Sequence, residues 1–124
     1  MDLLSDFICR INQVVVLKKL EVKVVKTKFI LEILNSFEEF GFIRGYKILP
    51  NSKEILVLLK YVNGVSILSK LVRISKRSKK IYNSNYQGKT YGFNYLVVSS
   101  NEGIIITSSL NKVPVGGEIL MLIK

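Results

Sequence analysis

"VVSSNEGIII", residues 97–106, sets Ser99, Ser100, Asn101, Glu102 and Gly103 between two β-branched runs. Asn and Gly supply turn geometry at little steric cost, and Val and Ile suit a pleated, half-buried surface. The stretch therefore predicts an antiparallel hairpin, with "YLVVS" and "GIIIT" as its arms. Two hydroxyls beside the turn raise a question in a chain this basic. Ordinary turn chemistry is one answer. A turn that presents donors and acceptors to a partner is the other.

Working outward, "GGEILMLI" (116–123) supplies a further strand, with Gly116-Gly117 as a turn or bulge signal just before it. Upstream, "ILSKLVRIS" (67–75) is strand-like, "KRSKK" is its basic exit, and "KIY" (80–82) begins another strand. "NSNYQGKTYGFN" (83–94) reads as loop. These pieces predict a mainly antiparallel β lobe over 65–124.

The first 64 residues carry a different pattern. "DLLSDFICRI" (2–11) places Leu3, Leu4, Phe7, Ile8 and Ile11 at helical spacing, with Asp2 able to cap it. "LEVKVV" (20–25) alternates Leu20, Val22 and Val24 against Glu21 and Lys23, the pattern of a half-buried strand. "TKFILEILNSFEEFG" (27–41) repeats apolar residues at Phe29, Ile30, Ile33, Leu34, Phe37 and Phe40. Thr27 is its expected N-cap and Gly41 its stop. "FIRGYKIL" and "KEILVLLKYV" read as two strands joined at Pro50-Asn51. The expected fold is α+β in two small lobes: helix–strand–helix–strand–strand over 1–64, then the β lobe over 65–124.

Composition narrows the function. Nineteen basic residues against nine acidic give a net charge of +10, and no carboxylate stands between Glu54 and Glu102. That interval holds Lys60, Lys70, Arg73, Lys76, Arg77, Lys79, Lys80 and Lys89. A single-sign field this long favours a polyanion, because each neutralised phosphate releases counterions. Nucleic acid is the expected partner, an anionic membrane surface the next, and a solvated basic face the bland alternative.

Cys9 is the one cysteine, and histidine is absent. An internal disulfide is excluded, as are the usual nucleophilic triads and most zinc sites. No paired carboxylate motif or Gly-rich nucleotide loop is present. The expectation is a non-enzyme with no catalytic residue, metal, cofactor or small-molecule substrate. No apolar run reaches the ~18 residues of a membrane span, so a soluble globular chain is expected.

The chain has neither alanine nor tryptophan, and lysine far outnumbers arginine. Proteins of very A+T-rich genomes have this composition. The opening "MDLLSDFICRINQ" has neither transit-peptide nor signal-peptide character. A gene carried and translated within an organelle fits both facts. The expected location is a mitochondrion, with a plastid or a bacterial cytoplasm as alternatives.

Five blocks in order resemble the small-subunit ribosomal protein eight family, of the universal bacterial type. They are "DLLSDFICRIN", "KTKFILEILNSFEEFGFI", "RISKRSKKIY", "VVSSNEGIIIT" and "VGGEILMLI", and together they cover nearly the whole chain. The resemblance implies a structural protein that binds the central domain of small-subunit rRNA, aids its assembly for translation, and adjoins other small-subunit ribosomal proteins. It implies base and sugar readout by Ser99, Ser100, Asn101 and Glu118, with Tyr82 at the same irregular region. It implies backbone contact by Lys26, Thr27 and Lys28. The basic cluster of Lys70, Arg73, Lys76, Arg77, Lys79 and Lys80 would position the RNA rather than specify it.

On the residues alone, the favoured reading of Glu118 is a surface charge on an edge strand, as ordinary turn chemistry is of the serines. A carboxylate facing RNA must accept from base or sugar donors, or brace the serine turn. RNA's major groove is too deep and narrow for side chains, so recognition falls on 2′-hydroxyls, phosphates and displaced bases. Short hydroxyls on a rigid turn suit that task.

The chain departs from the family in four places. Asn101 stands for a hydroxyl and Glu102 for a lysine, which leaves the contact at 102 in question. Ser78-Lys79 replaces Pro-Gly, and segments 83–94 and 107–115 are shorter and lack the family's short helices. Two other classes compete with the ribosomal reading. One is a stand-alone regulator that binds mRNA; the other is a membrane-surface or partner-protein adaptor that uses the basic face.

Overall fold

Leu4, Phe7, Ile8 and Ile11 are buried along one side of α1 (Leu3–Val16), as their helical spacing requires. A computed structural model describes residues 3–74, 95–101, 103–108 and 117–123. Within these the chain divides into two compact units, Met1–Lys70 and Leu71–Lys124. Asp2, the expected cap, lies outside the described residues. The helix runs on beyond Ile11 through three consecutive valines. Its end is a reverse turn in which Lys18 N–H donates to Val15 O and Lys19 N–H to Val14 O, both at 3.1 Å. Lys18 takes φ 56, the left-handed position that this closure requires.

β1 (Glu21–Val25) buries Val22 and Val24 and exposes Glu21 and Lys23. Leu20 falls outside the strand and is exposed, against the expected alternation. Thr27 caps α2 (Lys28–Phe40), its Oγ1 accepting from Ile30 N–H at 3.1 Å. At the other end Gly41 adopts φ 87, and Phe42 N–H donates to Phe37 O at 2.9 Å. The rings of Phe37 and Phe42 then meet edge-on with centroids 6.1 Å apart. Both ends therefore match the sequence signals. Ile30, Ile33, Leu34 and Phe37 are buried, but Phe40 is exposed and stacks on Phe42 at 5.2 Å.

β2 (Ile43–Ile48) and β3 (Glu54–Leu59) form the expected antiparallel hairpin, and β1 joins the other side of β3 to give the order β1-β3-β2. Ile55, Val57 and Leu59 of the central strand are buried, and each such burial contributes about 1.5–3 kcal/mol. Phe7 and Phe37 meet at 6.3 Å, which joins the two helices in one core. Arg10 clips α1 to the sheet, donating from Nη1 to Lys23 O at 2.9 Å and to Glu54 Oε2 at 3.2 Å.

"KEILVLLKYV" is not a single strand. The ladder breaks at Lys60, and β4 (Tyr61–Val62) turns back on β5 (Val65–Ser66). Asn63 and Gly64 both have positive φ, at 53 and 78, as a two-residue hairpin loop demands.

In the second unit, β6 (Leu71–Arg73), β7 (Tyr95–Ser100), β8 (Gly103–Ser108) and β9 (Glu118–Ile123) make an antiparallel sheet. The fold is α+β. "ILSKLVRIS" yields only three paired residues of its expected strand. The order is β6-β9-β7-β8, so Glu118 begins an interior strand, which β7 pairs at Ser99 and β6 pairs at Met121–Ile123. Leu96, Val98, Ile119 and Leu122 pack together with Val72 and Ile74. Val97 and Met121 are also fully buried, which accounts for continuous apolar runs rather than strict alternation.

Candidate nucleic-acid interface

The β7–β8 hairpin pairs residue for residue from Tyr95↔Ser108 to Ser100↔Gly103, with Asn101 in the turn that follows Ser100. Gly103 has φ 108, which explains glycine where the chain re-enters the sheet. Ser100 Oγ donates to Gly103 O at 3.1 Å, so that hydroxyl braces the turn. Asn101 is exposed, and Ser99 and Ser100 are half-buried.

Glu118 reaches this hairpin through a one-residue irregularity. Val97 pairs with Met121, but Val98 pairs with Ile119 and Ser99 with Glu118. The extra residue, Leu120, switches the parity of β9, so Ile119 shares a core face with Val98 while Glu118 stands directly across from Ser99. Paired residues of an antiparallel ladder project from the same side of the sheet. Ser99 also pairs with Ile104, which completes a row Glu118–Ser99–Ile104 across three strands.

Gly117 fixes the approach. A Cβ there would stand 2.7 Å from Val98 Cγ1 and 2.8 Å from the Ser99 carbonyl oxygen. Only glycine lets β9 come this close to β7 before Glu118. The paired glycines signalled a turn or bulge in the sequence, but not this contact.

The structure thus brings Ser99, Ser100, Asn101 and Glu118 to one end of one sheet. Arg73 ends β6 and pairs with Met121, and Ile74 N–H donates to Leu120 O at 3.1 Å, so β6 stops beside the same irregularity. Lys76, Arg77, Lys79, Lys80, Tyr82 and Glu102 lie outside the described residues, as does 83–94.

The first unit holds the remaining candidates. Lys26 and Lys28 are exposed at the start of α2, and Lys70 is exposed at the unit's end. Thr27 Oγ1 is used as an acceptor in the cap, which leaves its proton available to a phosphate oxygen. Lys26 N–H donates to Lys53 O at 2.7 Å, and Lys26, Lys28 and Lys53, with Thr27 and Ser52, line an open groove of about 490 Å³. Lys53 was not singled out from the sequence. The signal is tertiary: the Val25↔Glu54 pairing places it beside Lys26. Among the described residues no group of three or more His, Cys, Asp or Glu could hold a metal ion. No described helix is long and apolar enough to cross a membrane.

A family model described as Ribosomal protein S8 matches residues 2–123. Among its relatives is a small ribosomal subunit protein uS8 of Campylobacter jejuni, 32% identical over 127 residues, covering 98% of this chain and 97% of the relative. The uS8 of Nautilia profundicola is also 32% identical, over 125 residues, covering 96% and 95%. That of Alcanivorax borkumensis is 28% identical over 122 residues, covering 96% and 94%. The chain, with its β9-centred sheet and serine hairpin, belongs to the ribosomal protein S8 family, as a divergent member.

Proposed function

We propose that this chain takes its place in the small ribosomal subunit, binds the central domain of small-subunit rRNA at an internal loop, and aids its folding. The observation that carries the reading is the pairing of Ser99 with Glu118 beside the Ser100–Asn101 hairpin tip. The four side chains make an acceptor-rich group: a carboxylate, an amide carbonyl and two hydroxyls, one of which has spent its proton on Gly103 O. Such a group suits exocyclic amines and 2′-hydroxyls and repels phosphate. It therefore selects positions where bases are displaced from the helix, where those donors are open to side chains.

Phosphate neutralisation falls to the cations: Lys26, Lys28 and Lys53 in the first unit, with Thr27 as a neutral donor, and Lys70, Arg73, Lys76, Arg77, Lys79 and Lys80 along the chain. Tyr82 joins the base-contacting set. In this reading 65–124 is the principal rRNA-binding lobe, 1–64 supplies the second contact, and the chain performs no catalysis. The A+T-rich composition supports a mitochondrial ribosome, and the bacterial relatives support a bacterial cytoplasm equally; cell fractionation with an antibody separates the two.

The decisive test is salt-dependent binding to two RNAs, a central-domain fragment with its internal loop and the same stem fully paired. Tighter binding to the looped RNA at physiological salt is expected. Equal binding that collapses with salt would reduce the chain to a basic domain without site preference.

A further inference from the structure

The first unit leaves exposed aliphatic side chains concentrated at one place. Val16 is 78% exposed and Leu20 66%, with Leu17 between them, where α1 ends. Val62 and Val65 are exposed on the β4–β5 hairpin. These segments are tied together: Tyr61 Oη donates to Lys19 O at 2.5 Å, and Leu59 N–H to Leu20 O at 2.8 Å. Between them runs a groove of about 230 Å³, lined by Val15, Lys18, Tyr61, Val65 and Ser66 among others. Ser66 Oγ is buried at this groove with no hydrogen-bond partner. A hydroxyl left in that condition is destabilising, which makes it a ready site for an incoming polar group.

RNA is a poor occupant for this face. Its exposed side chains are mostly aliphatic, its one ring, Tyr61, is tied by its hydroxyl to Lys19 O, and its orphan is a neutral hydroxyl. A second copy of this chain would bring its own +10 charge against Lys18 and Lys19. Glu21 is the one carboxylate from Phe7 to Leu31, so the rim is cationic around an apolar centre. Contiguous exposed apolar surface with a polar rim is the anatomy of a protein-binding site.

We infer that this face docks a segment of another protein, apolar at its centre and acidic at its flanks. An aliphatic or aromatic side chain enters the groove beside Val15 and Val65. A backbone or side-chain group pairs with Ser66 Oγ, and carboxylates face Lys18 and Lys19. The inference is independent of the RNA contacts proposed above, which use other residues.

The test places a photo-reactive benzoylphenylalanine at Val65 of the full-length chain expressed in its native cells, and maps the crosslinked peptide by mass spectrometry. The expected product is a peptide of another protein with carboxylates flanking an apolar residue. Its yield should fall several-fold in the Lys18→Glu, Lys19→Glu variant, whose far-UV circular dichroism and affinity for the looped RNA stay unchanged. A crosslink to RNA, to this chain itself, or to a peptide indifferent to the charge reversal would overturn the inference. So would no crosslink in cells where the protein is intact. Loss of RNA site preference with the crosslink retained would count only against the RNA reading.

Discussion

Glu118 stands across from Ser99 because Gly117, one residue earlier, lets the backbone of β9 pass within reach of the Ser99 carbonyl. Adding a methyl there leaves nowhere to go, since one of its neighbours is main chain. Gly117→Ala should destabilise the protein by about 1–3 kcal/mol through overpacking. Urea unfolding measures this, and the same variant should lose affinity for looped RNA. Wild-type stability would mean that β9 can slide without cost.

The two helix ends make an opposite pair of predictions. Lys18 and Gly41 hold the same left-handed position, one at φ 56 and the other at φ 87, but only Gly41 does so without a Cβ. Gly41→Ala should cost about 1–2 kcal/mol, and Lys18→Gly should stabilise by about 0.5–1 kcal/mol, net of added unfolded-state entropy. Thermal and urea midpoints should move in opposite directions for the two variants.

Thr27 combines a structural and a proposed binding role, and these separate by substitution. Thr27→Ala should cost about 0.5–2 kcal/mol from loss of the acceptor for Ile30 N–H, whereas Thr27→Ser retains it. If the hydroxyl proton also meets a phosphate, Ala but not Ser should lower RNA affinity at a temperature where both variants are folded. Equal affinities would confine Thr27 to its capping role.

The lysine groove and the serine hairpin should fail in different ways. Replacing Lys26, Lys28 or Lys53 with Gln should reduce the salt slope of binding by roughly one unit each, for paired and looped RNA alike. Ser99→Ala should instead cost about 1–3 kcal/mol against looped RNA, if base-edge magnitudes measured on DNA transfer. A Lys53→Gln change that abolished loop preference without altering the salt slope would reverse these roles.

What the sequence revealed and what it hid divide along physical lines. Thr27 and Gly41 were legible because caps depend on residue type at one position and on neighbours three or four residues away. The hairpin around Asn101 and Gly103 was legible for the same reason. The Asn63-Gly64 turn carried an equally local signal, but the apolar run around it read as one strand. The valines at 14–16 favour strands locally, and helix propagation from the buried Leu4–Ile11 face overrides them. The place of β9 between β6 and β7 was not legible, because sheet order is a choice among distant partners. The approach of Lys53 to Lys26 was hidden likewise, and with it one-third of the lysine groove.

The interior position of β9 also dictates an order of events. Among the described residues β6 and β7 do not pair with one another; β9 lies between them and joins β6 to the β7–β8 hairpin. During synthesis the ribosome makes β6, then the β7–β8 hairpin, and both must wait for Glu118–Ile123 before the sheet can close. The hairpin can form early from local contacts, but the described ladder of Leu71–Arg73 is with Met121–Ile123, which is synthesised last. The second unit should therefore mature late, through a long-range closure that is intrinsically slow. Chains halted before Glu118 should remain open to proteases at β6, while the first unit, whose strands all lie upstream, is already folded.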